Sequence, residues 1–324
     1  MRNFGKIVGF WGILLLLLIQ CSILFVPKRN TVKDGIANRD SHAYGVMAEP
    51  ANSLDVIVVG DSEGYSGISP MVMWKERGIA SFVCSQSGQR SAEAYYLLKN
   101  ALKRQNPKLV ILETDLFYHN RNVPTEINHA LEYMSQYYLP VFKYHDRWKS
   151  LTARDFSPKQ DFDQKDVMKG YYHSKKVTPY QGGEYMIKSD GRESVDQTVT
   201  FWTDRIVNLC REKNISLLLV GVTSPKNWDY SRHNTVNDYA IKNNVPFLDL
   251  NLFTKDIKID WNKDSRDGGD HLNTSGAEKL SKYLGTYLAA HYPLTDHRND
   301  KNYSEWNKEL EQYLINISEK EASS

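Results

Sequence analysis

Three short, unbroken apolar runs constrain this chain more than any other feature: DVIVVG at 55–60, IASFVCS at 79–85 and KLVILET at 108–114. A strand with one wet face alternates apolar and polar residues, so runs without alternation belong to strands covered on both faces. ISLLLVGV (215–222) and VPFLDLN (245–251) repeat the signal later in the chain. Helical spacing fills the intervals at 70–78, 91–105, 195–213 and 232–243, and a last helix is expected at 275–290. Buried strands alternating with helices predict an α/β chain with a doubly wound parallel sheet, because parallel neighbours need a crossover and the crossover helices cover both faces. Between 115 and 193 the alternation stops. Aromatic and polar segments, a predicted helix at 126–137 and the loop-like VTPYQGGEY (177–185) read as an insertion into the sheet-forming body.

The N-terminus carries the second physical signal. Arg2 and Lys6 precede an uncharged run from Ile7 to Val26, closed by Pro27, Lys28 and Arg29. Twenty residues at helical rise cover about 30 Å, the thickness of a bilayer's hydrocarbon core. A cleaved signal peptide has a shorter apolar stretch and small residues before the cut, so an uncleaved anchor in the lipid bilayer, residues 1–27, is expected. Gln20-Cys21 does not suit lipidation, since the apolar run continues past it through Ile23, Leu24 and Phe25. Positive charge flanks both ends, so it does not set orientation; a short tail before a large domain places the body outside, giving a single-pass protein of the cell membrane. Residues 28–53, polar and without periodicity, read as a juxtamembrane stalk, and 54–292 as the body. The charged tail 293–324 carries Trp306, Leu310, Tyr313 and Leu314 at helical spacing, so it either docks as an amphipathic helix or trails in solvent.

Composition removes several classes of function. Lys plus Arg is 41 against 39 for Asp plus Glu, and a net charge of +2 gives no field suited to a nucleic-acid partner. Cys21, Cys84 and Cys210 have neither metal-ligand nor CxxC spacing; Cys84 ends a strand-like run and Cys210 falls in a helical pattern, which reads as buried free thiols, with a Cys84–Cys210 bridge as the alternative. His119, His129, His145 and His173 are too scattered for a metal site, and no cofactor is expected. Twenty Tyr and seven Trp fill cores or stack on sugars; Tyr137, Tyr138, Tyr144, Tyr171 and Tyr172 either line a glycan groove or pack the insertion onto the body.

The chemistry-bearing residues sit at the two ends of the body. VIVVGDSEGYSGISP puts Gly60-Asp61-Ser62 at the carboxyl end of the first buried strand, where open α/β sheets place their ligands. Asp and Ser there also suit helix capping, which is the plainer reading of the tripeptide taken alone. DGGDHLNTSGAEKL (267–280) sets His271 just before the last helix. A serine hydroxyl is a poor nucleophile until a base takes its proton, and a histidine does so when a carboxylate fixes its tautomer. Glu63, next to the serine, either tunes such a site or occupies a helix first turn.

VVGDS after the first strand, SQSGQRSAEAYYLLKNAL (85–102) after the second and D-x-x-x-H-L-N-x-x-G before the last helix resemble, in order and in strand context, the blocks of SGNH or GDSL hydrolases, over about residues 54–290. The resemblance implies a flavodoxin-like sheet of SGNH type, with Ser62 as nucleophile, His271 as base and Asp267 as orienting acid. The family's acid lies three residues before the histidine, a position held here by Gly268; one extra residue in a Gly-Gly turn restores the geometry, and Asp270 is the competing acid. The family's oxyanion donors are the serine N–H, the second-block glycine N–H and a third-block Asn side chain. Ser62 and Gly88 match the first two. Glu113-Thr114-Asp115 stands where G-x-N-D is expected, leaving Thr114 or Asp115 for the third role; an ionised Asp cannot donate, and a missing donor costs roughly two to three orders of magnitude in rate.

That departure, the anchor, the insertion and the HLN form of the last block are similar to a membrane-anchored branch of these proteins. Its members partner membrane-bound O-acyltransferases in D-alanylation of lipoteichoic acid and in acetylation of exopolysaccharide. The implied function is an extracytoplasmic serine acyltransferase or esterase acting on O-acyl esters of a cell-envelope polysaccharide or teichoic acid, beside a membrane-bound O-acyltransferase. The alternative is a non-catalytic scaffold that binds a glycan or that partner. A free lipase is a third reading, which the polar, aromatic insertion disfavours.

Overall fold

The computed structural model describes residues 2–118, 122–157 and 159–319. Its centre is a parallel sheet of β1 (Val56–Gly60), β2 (Ser81–Ser85), β3 (Leu109–Glu113), β4 (Ser216–Gly221) and β5 (Phe247–Asp249), in the order β2-β1-β3-β4-β5. All five strands correspond to the unbroken apolar runs, and Val56 to Val59 and Leu109 to Leu112 are fully buried. Such strands lose water on both faces, and each buried aliphatic side chain contributes roughly 1.5–3 kcal/mol.

Among the described residues, eight α-helices of more than four residues surround and follow the sheet after an N-terminal one, α1 (Arg2–Phe25). They are α2 (Ser62–Gly67), α3 (Pro70–Arg77), α4 (Ser91–Ala101), α5 (Val123–Tyr138), α6 (Gln197–Glu212), α7 (Tyr230–Asn243), α8 (Thr274–His291) and α9 (Ser304–Glu319). On one face Leu98 of α4, Ile206 of α6 and Val236 of α7 join Ile57, Val110 and Leu219; on the other Leu280, Leu284 and Leu288 of α8 join Val58, Ile111 and Leu218. The sheet is doubly wound, as its sequence pattern predicts, and order reverses between β1 and β3, where such sheets open a ligand crevice. The three cysteines are free, with Cys84 and Cys210 buried.

In α1, Phe4–Phe25 is long and apolar enough to cross a bilayer, with a mean hydropathy of 2.5 and nearly all its side chains turned away from the body. The following residues correct one expectation: 28–53 is not a stalk. Ile36, Ala43, Val46 and Met47 are buried in the core, and Arg39 and Asp40 pair with Glu93 and Lys143. Short 3-10 turns at Asn38–Asp40 and Gly45–Ala48 present Arg39, Asp40, Val46 and Met47, a single helical turn at Ser41–Tyr44 presents Ala43, and Ile36 lies on irregular chain, so no period of 2 or 3.6 runs through the segment. The tail also packs: Trp306 of α9 lies 5.0 Å from Trp74 between ring centres, and Tyr313 Oη is 3.1 Å from Ser69 Oγ.

The insertion begins with α5, capped by Asn122, whose Oδ1 accepts from the Thr125 N–H. Tyr137 and Tyr138 pack around Tyr96 of α4, while Tyr144 and Tyr171 are buried, so these rings join the insertion to the body. Residues 165–180 run as a strap across the sheet. Lys169 O accepts from Val83 N–H on the edge strand β2, Tyr172 N–H donates to Tyr65 O, and Thr178 N–H donates to Ser265 O while Thr178 O accepts from Gly268 N–H. His173 Nδ1 lies 2.7 Å from Thr274 Oγ1 at the start of α8. His129 and His145 stand beside Glu132 and Asp146 elsewhere, and His119 lies outside the described residues.

Candidate active site

At the carboxyl end of β1, Gly60 lies so close to Glu113 of β3 that any Cβ there would overlap the Glu113 side chain. That approach draws the next three residues over the sheet's edge. Asp61 caps α2 by accepting the Glu63 N–H at 3.1 Å, and Ser62 is the first helical residue, so its N–H has no intrahelical acceptor. Ser62 Oγ donates to Glu63 Oε2 at 3.2 Å.

His271 reaches the same place from the other end of the body. After Asp267 the chain turns through Gly268 (φ +79°) and Gly269 (φ +95°), left-handed conformations open to glycine, and comes back so that the His271 N–H donates to Asp267 Oδ1 at 2.7 Å. The ring Nδ1 lies 2.6 Å from Asp267 Oδ2. Asp270 Oδ1 is 3.6 Å from the same nitrogen, beyond hydrogen-bond reach, and instead accepts from Asn227 Nδ2 at 2.6 Å. Burial alone would raise the Asp267 pKa, but the two bonds from His271 and the Arg266 guanidinium hold the carboxyl below its ordinary value. Asn273 then caps α8 through Gly276 N–H and ties Lys263 O and Lys176 O, while Leu272 is buried in the core.

Ser62 and His271 are not hydrogen bonded to each other. His271 Nε2 is buried with no hydrogen-bond partner, 3.9 Å from Glu63 Oε1, and Glu63 stands between the two candidate catalytic groups. Asn227, in the turn after β4, donates to both Glu63 Oε1 and Asp270 Oδ1 at 2.6 Å. Neither Asn227 nor a bridging role for Glu63 was legible along the chain. Glu63 is marked only by adjacency to Ser62, and Asn227 lies 165 positions from it in a turn without a motif.

Beneath Ser62 lies a buried acidic floor of Asp61, Glu63, Glu113 and Asp115. Burial, followed by repulsion from its carboxylate neighbours, raises the Asp61 pKa well above normal and pushes that of Glu113 up to about 8. A carboxyl whose folded pKa is raised binds more protons in the native state, so its stabilising contribution is full below pH about 4.5 and is lost as pH rises through about 8. Thermal melts across that window should therefore show the wild type losing stability as pH rises, and Glu113→Gln should flatten the slope; an unchanged slope would mean that Glu113 is ionised throughout.

The second loop of the site, after β2, contains Gly88, whose N–H has no hydrogen-bond partner among the described residues. The third oxyanion position departs from expectation. Thr114 donates both its N–H and its hydroxyl to Val220 O, and so is committed to holding β3 against β4. Asp115 Oδ1 accepts from Arg232 at 3.3 Å, an ion pair and not a donor. Ligand atoms of Asp61, Glu63 and Asp115, and of Glu63, Asp270 and His271, lie within 4.8 Å of one another, spacing that can hold a cation; Arg232 and Asn227 already supply donors to both sets. Around the rim, Tyr172 is half exposed, with the Arg266 guanidinium 5.0 Å over its ring and Tyr65 edge-on at 5.8 Å.

No family model and no curated protein matches the chain. Solved structures similar to it include a GDSL-like lipase from Bacteroides thetaiotaomicron, 11% identical, covering 78% of this chain and 98% of its own, with a TM-score of 0.39. A lipolytic protein of the G-D-S-L family from Desulfitobacterium hafniense is 12% identical, with 72% and 98% covered and a TM-score of 0.39. The family 3 carbohydrate esterase of Clostridium thermocellum is 13% identical, with 75% and 96% covered and a TM-score of 0.37. At these scores the likenesses carry no weight in assigning chemistry, which rests on the side chains.

Proposed function

We propose that this chain is a membrane-anchored serine esterase or O-acyltransferase acting on O-acyl esters of a cell-envelope glycan. The observation that carries the reading is His271. Its ring Nδ1 and its backbone N–H are each hydrogen bonded to Asp267, and its buried Nε2 is left bare beside the Glu63 that holds the Ser62 hydroxyl. On ester binding the Ser62 hydroxyl turns from Glu63 to His271 Nε2. Oγ attacks the carbonyl carbon as its proton passes to the imidazole, and the oxyanion meets the N–H groups of Ser62 and Gly88. The tetrahedral adduct collapses, the alcohol leaves with the proton from His271, and water or a sugar hydroxyl then takes the acyl group from the serine by the same steps in reverse.

A glycan suits the rim, where Tyr65 and Tyr172 offer ring faces and edges beside Arg266. A membrane-bound O-acyltransferase is the partner that the anchor would serve, because tethering raises the effective concentration of the domain near a membrane-embedded acyl donor. The non-catalytic reading draws on two observations, the Ser62–Glu63 bond and the commitment of Thr114 to Val220 O and of Asp115 to Arg232. Full-length protein in detergent, treated with a serine-directed fluorophosphonate, separates the two readings. Labelling of the wild type that is absent in Ser62→Ala and His271→Ala supports an activated serine; an unlabelled wild type that also leaves a small acetyl ester intact supports the scaffold.

A further inference from the structure

The junction between α1 and the body is tied by hydrogen bonds from three sides. Arg147 Nη1 donates to Phe25 O at 2.7 Å and Lys28 Nζ to Ile23 O at 2.8 Å, satisfying carbonyls at the end of α1, while Ser22 Oγ accepts the Val141 N–H. Arg147 is itself held by Asp155 at 2.6 Å. Three successive segments, Val141–Tyr144, His145–Lys149 and Ala153–Phe156, pack against α1.

Each of those segments also turns one large aromatic residue outward: Phe142 is 47% exposed, Trp148 63% and Phe156 72%. Helical rise sets their depth. The uncharged stretch of α1 from Ile7 to Phe25 spans about 28 Å, close to the hydrocarbon thickness, so the end of α1, which the body grips, falls at the boundary between lipid and water. Trp concentrates at that boundary because its ring is apolar and its N–H polar, and an exposed Phe beside it gains by leaving water for the acyl edge. The exposed Arg154 beside them suits lipid phosphates, whereas Lys149 is paired with Asp146 at 3.3 Å.

We propose that Phe142, Trp148 and Phe156 form a collar seated in the headgroup layer of the leaflet from which α1 emerges. The body is then docked on the bilayer at a fixed height and tilt, not swinging on a tether. This rests on the reading of α1 as a membrane span. Of the possible occupants the bilayer is favoured over a protein because the collar is continuous with the gripped end of α1.

Full-length protein carrying Cys21→Ser, with Cys84 and Cys210 left buried, takes a nitrobenzoxadiazole label at Trp148→Cys, Phe156→Cys, Leu16→Cys or the exposed Ile241→Cys, and is placed in vesicles of phosphatidylcholine and phosphatidylglycerol containing headgroup-level nitroxide lipid. Labels at 148 and 156 are expected to be blue-shifted and quenched severalfold more than at 241, with the label at 16 in an apolar environment. Labels at 148 and 156 that behave as at 241, while 16 is in lipid, overturn the collar and leave the anchor standing. An aqueous label at 16 overturns both. Labels at 148 and 156 that are aqueous in pure lipid and shielded only in native membranes overturn the collar in favour of a protein partner.

Discussion

Asp267→Asn is expected to lower ester turnover by about 10⁴-fold, because an amide in that place stabilises the wrong imidazole tautomer and deprives the developing imidazolium of its counter-charge. Both oxygens of Asp267 are engaged by His271, one by the ring and one by the backbone. Asp270→Asn is expected to cost no more than about tenfold, the worth of a single hydrogen bond. Its carboxylate stands 3.6 Å from Nδ1 and serves Asn227 and Lys226 instead. Steady-state rates of the two variants against pH, on one ester, decide the matter: equal losses, or a larger loss at Asp270, would remove Asp267 from the orienting role. The depressed Asp267 pKa adds a second readout, since stability that Asp267 contributes above pH about 3.8 is lost as pH falls below that value, and Asp267→Asn removes this acid sensitivity.

Lys169→Met is expected to destabilise the full chain by about 3–5 kcal/mol, the usual cost of removing one member of a buried ion cluster. Lys169 is wholly buried, its Nζ 2.7 Å from Glu49 Oε1 and 2.8 Å from Glu309 Oε2, with the Trp306 ring 4.5 Å away. Burial already raises the Glu49 pKa against the opposing pull of Lys169, and without that ammonium two carboxyl groups face each other with only the partly exposed Lys165, 3.7 Å from Glu309 Oε1, beside them among the described residues. The cluster joins three distant parts of the chain: the segment after the anchor, the strap and α9. A drop in melting temperature of roughly 6–20 °C should therefore come with faster proteolysis at the start of α9. Adding Glu49→Gln and Glu309→Gln to the variant should recover much of the loss, because neutral amides do not demand a counter-charge. A melting temperature unchanged by Lys169→Met would show the cluster to be no more than surface-strength.

The five strands, their parallel arrangement and the apolar helix are legible in the chain because each is encoded in the period of its own residues. A run such as VIVVG has no polar position to turn toward water. Ser62, Asp267 and His271 are legible for a related reason: their motifs carry local consequences, a helix start after Asp61 and a Gly-Gly turn that folds Asp267 back on the His271 N–H. The packed segment 28–53 escapes notice because its buried residues lie on irregular turns.

The insertion's strap is equally silent, since its hydrogen bonds to Val83, Tyr65 and Ser265 are made by backbone groups that every residue type possesses. Local pattern thus encodes the sheet, the anchor-like helix and the two ends of the candidate site. Tertiary closure alone set Glu63 between Ser62 and His271, tied Asn227 to Glu63 and Asp270, bound Thr114 to β4 and paired Asp115 with Arg232. Periodicity records what one element shows to its surroundings, whereas a contact between residues more than a hundred positions apart exists only once the elements have packed.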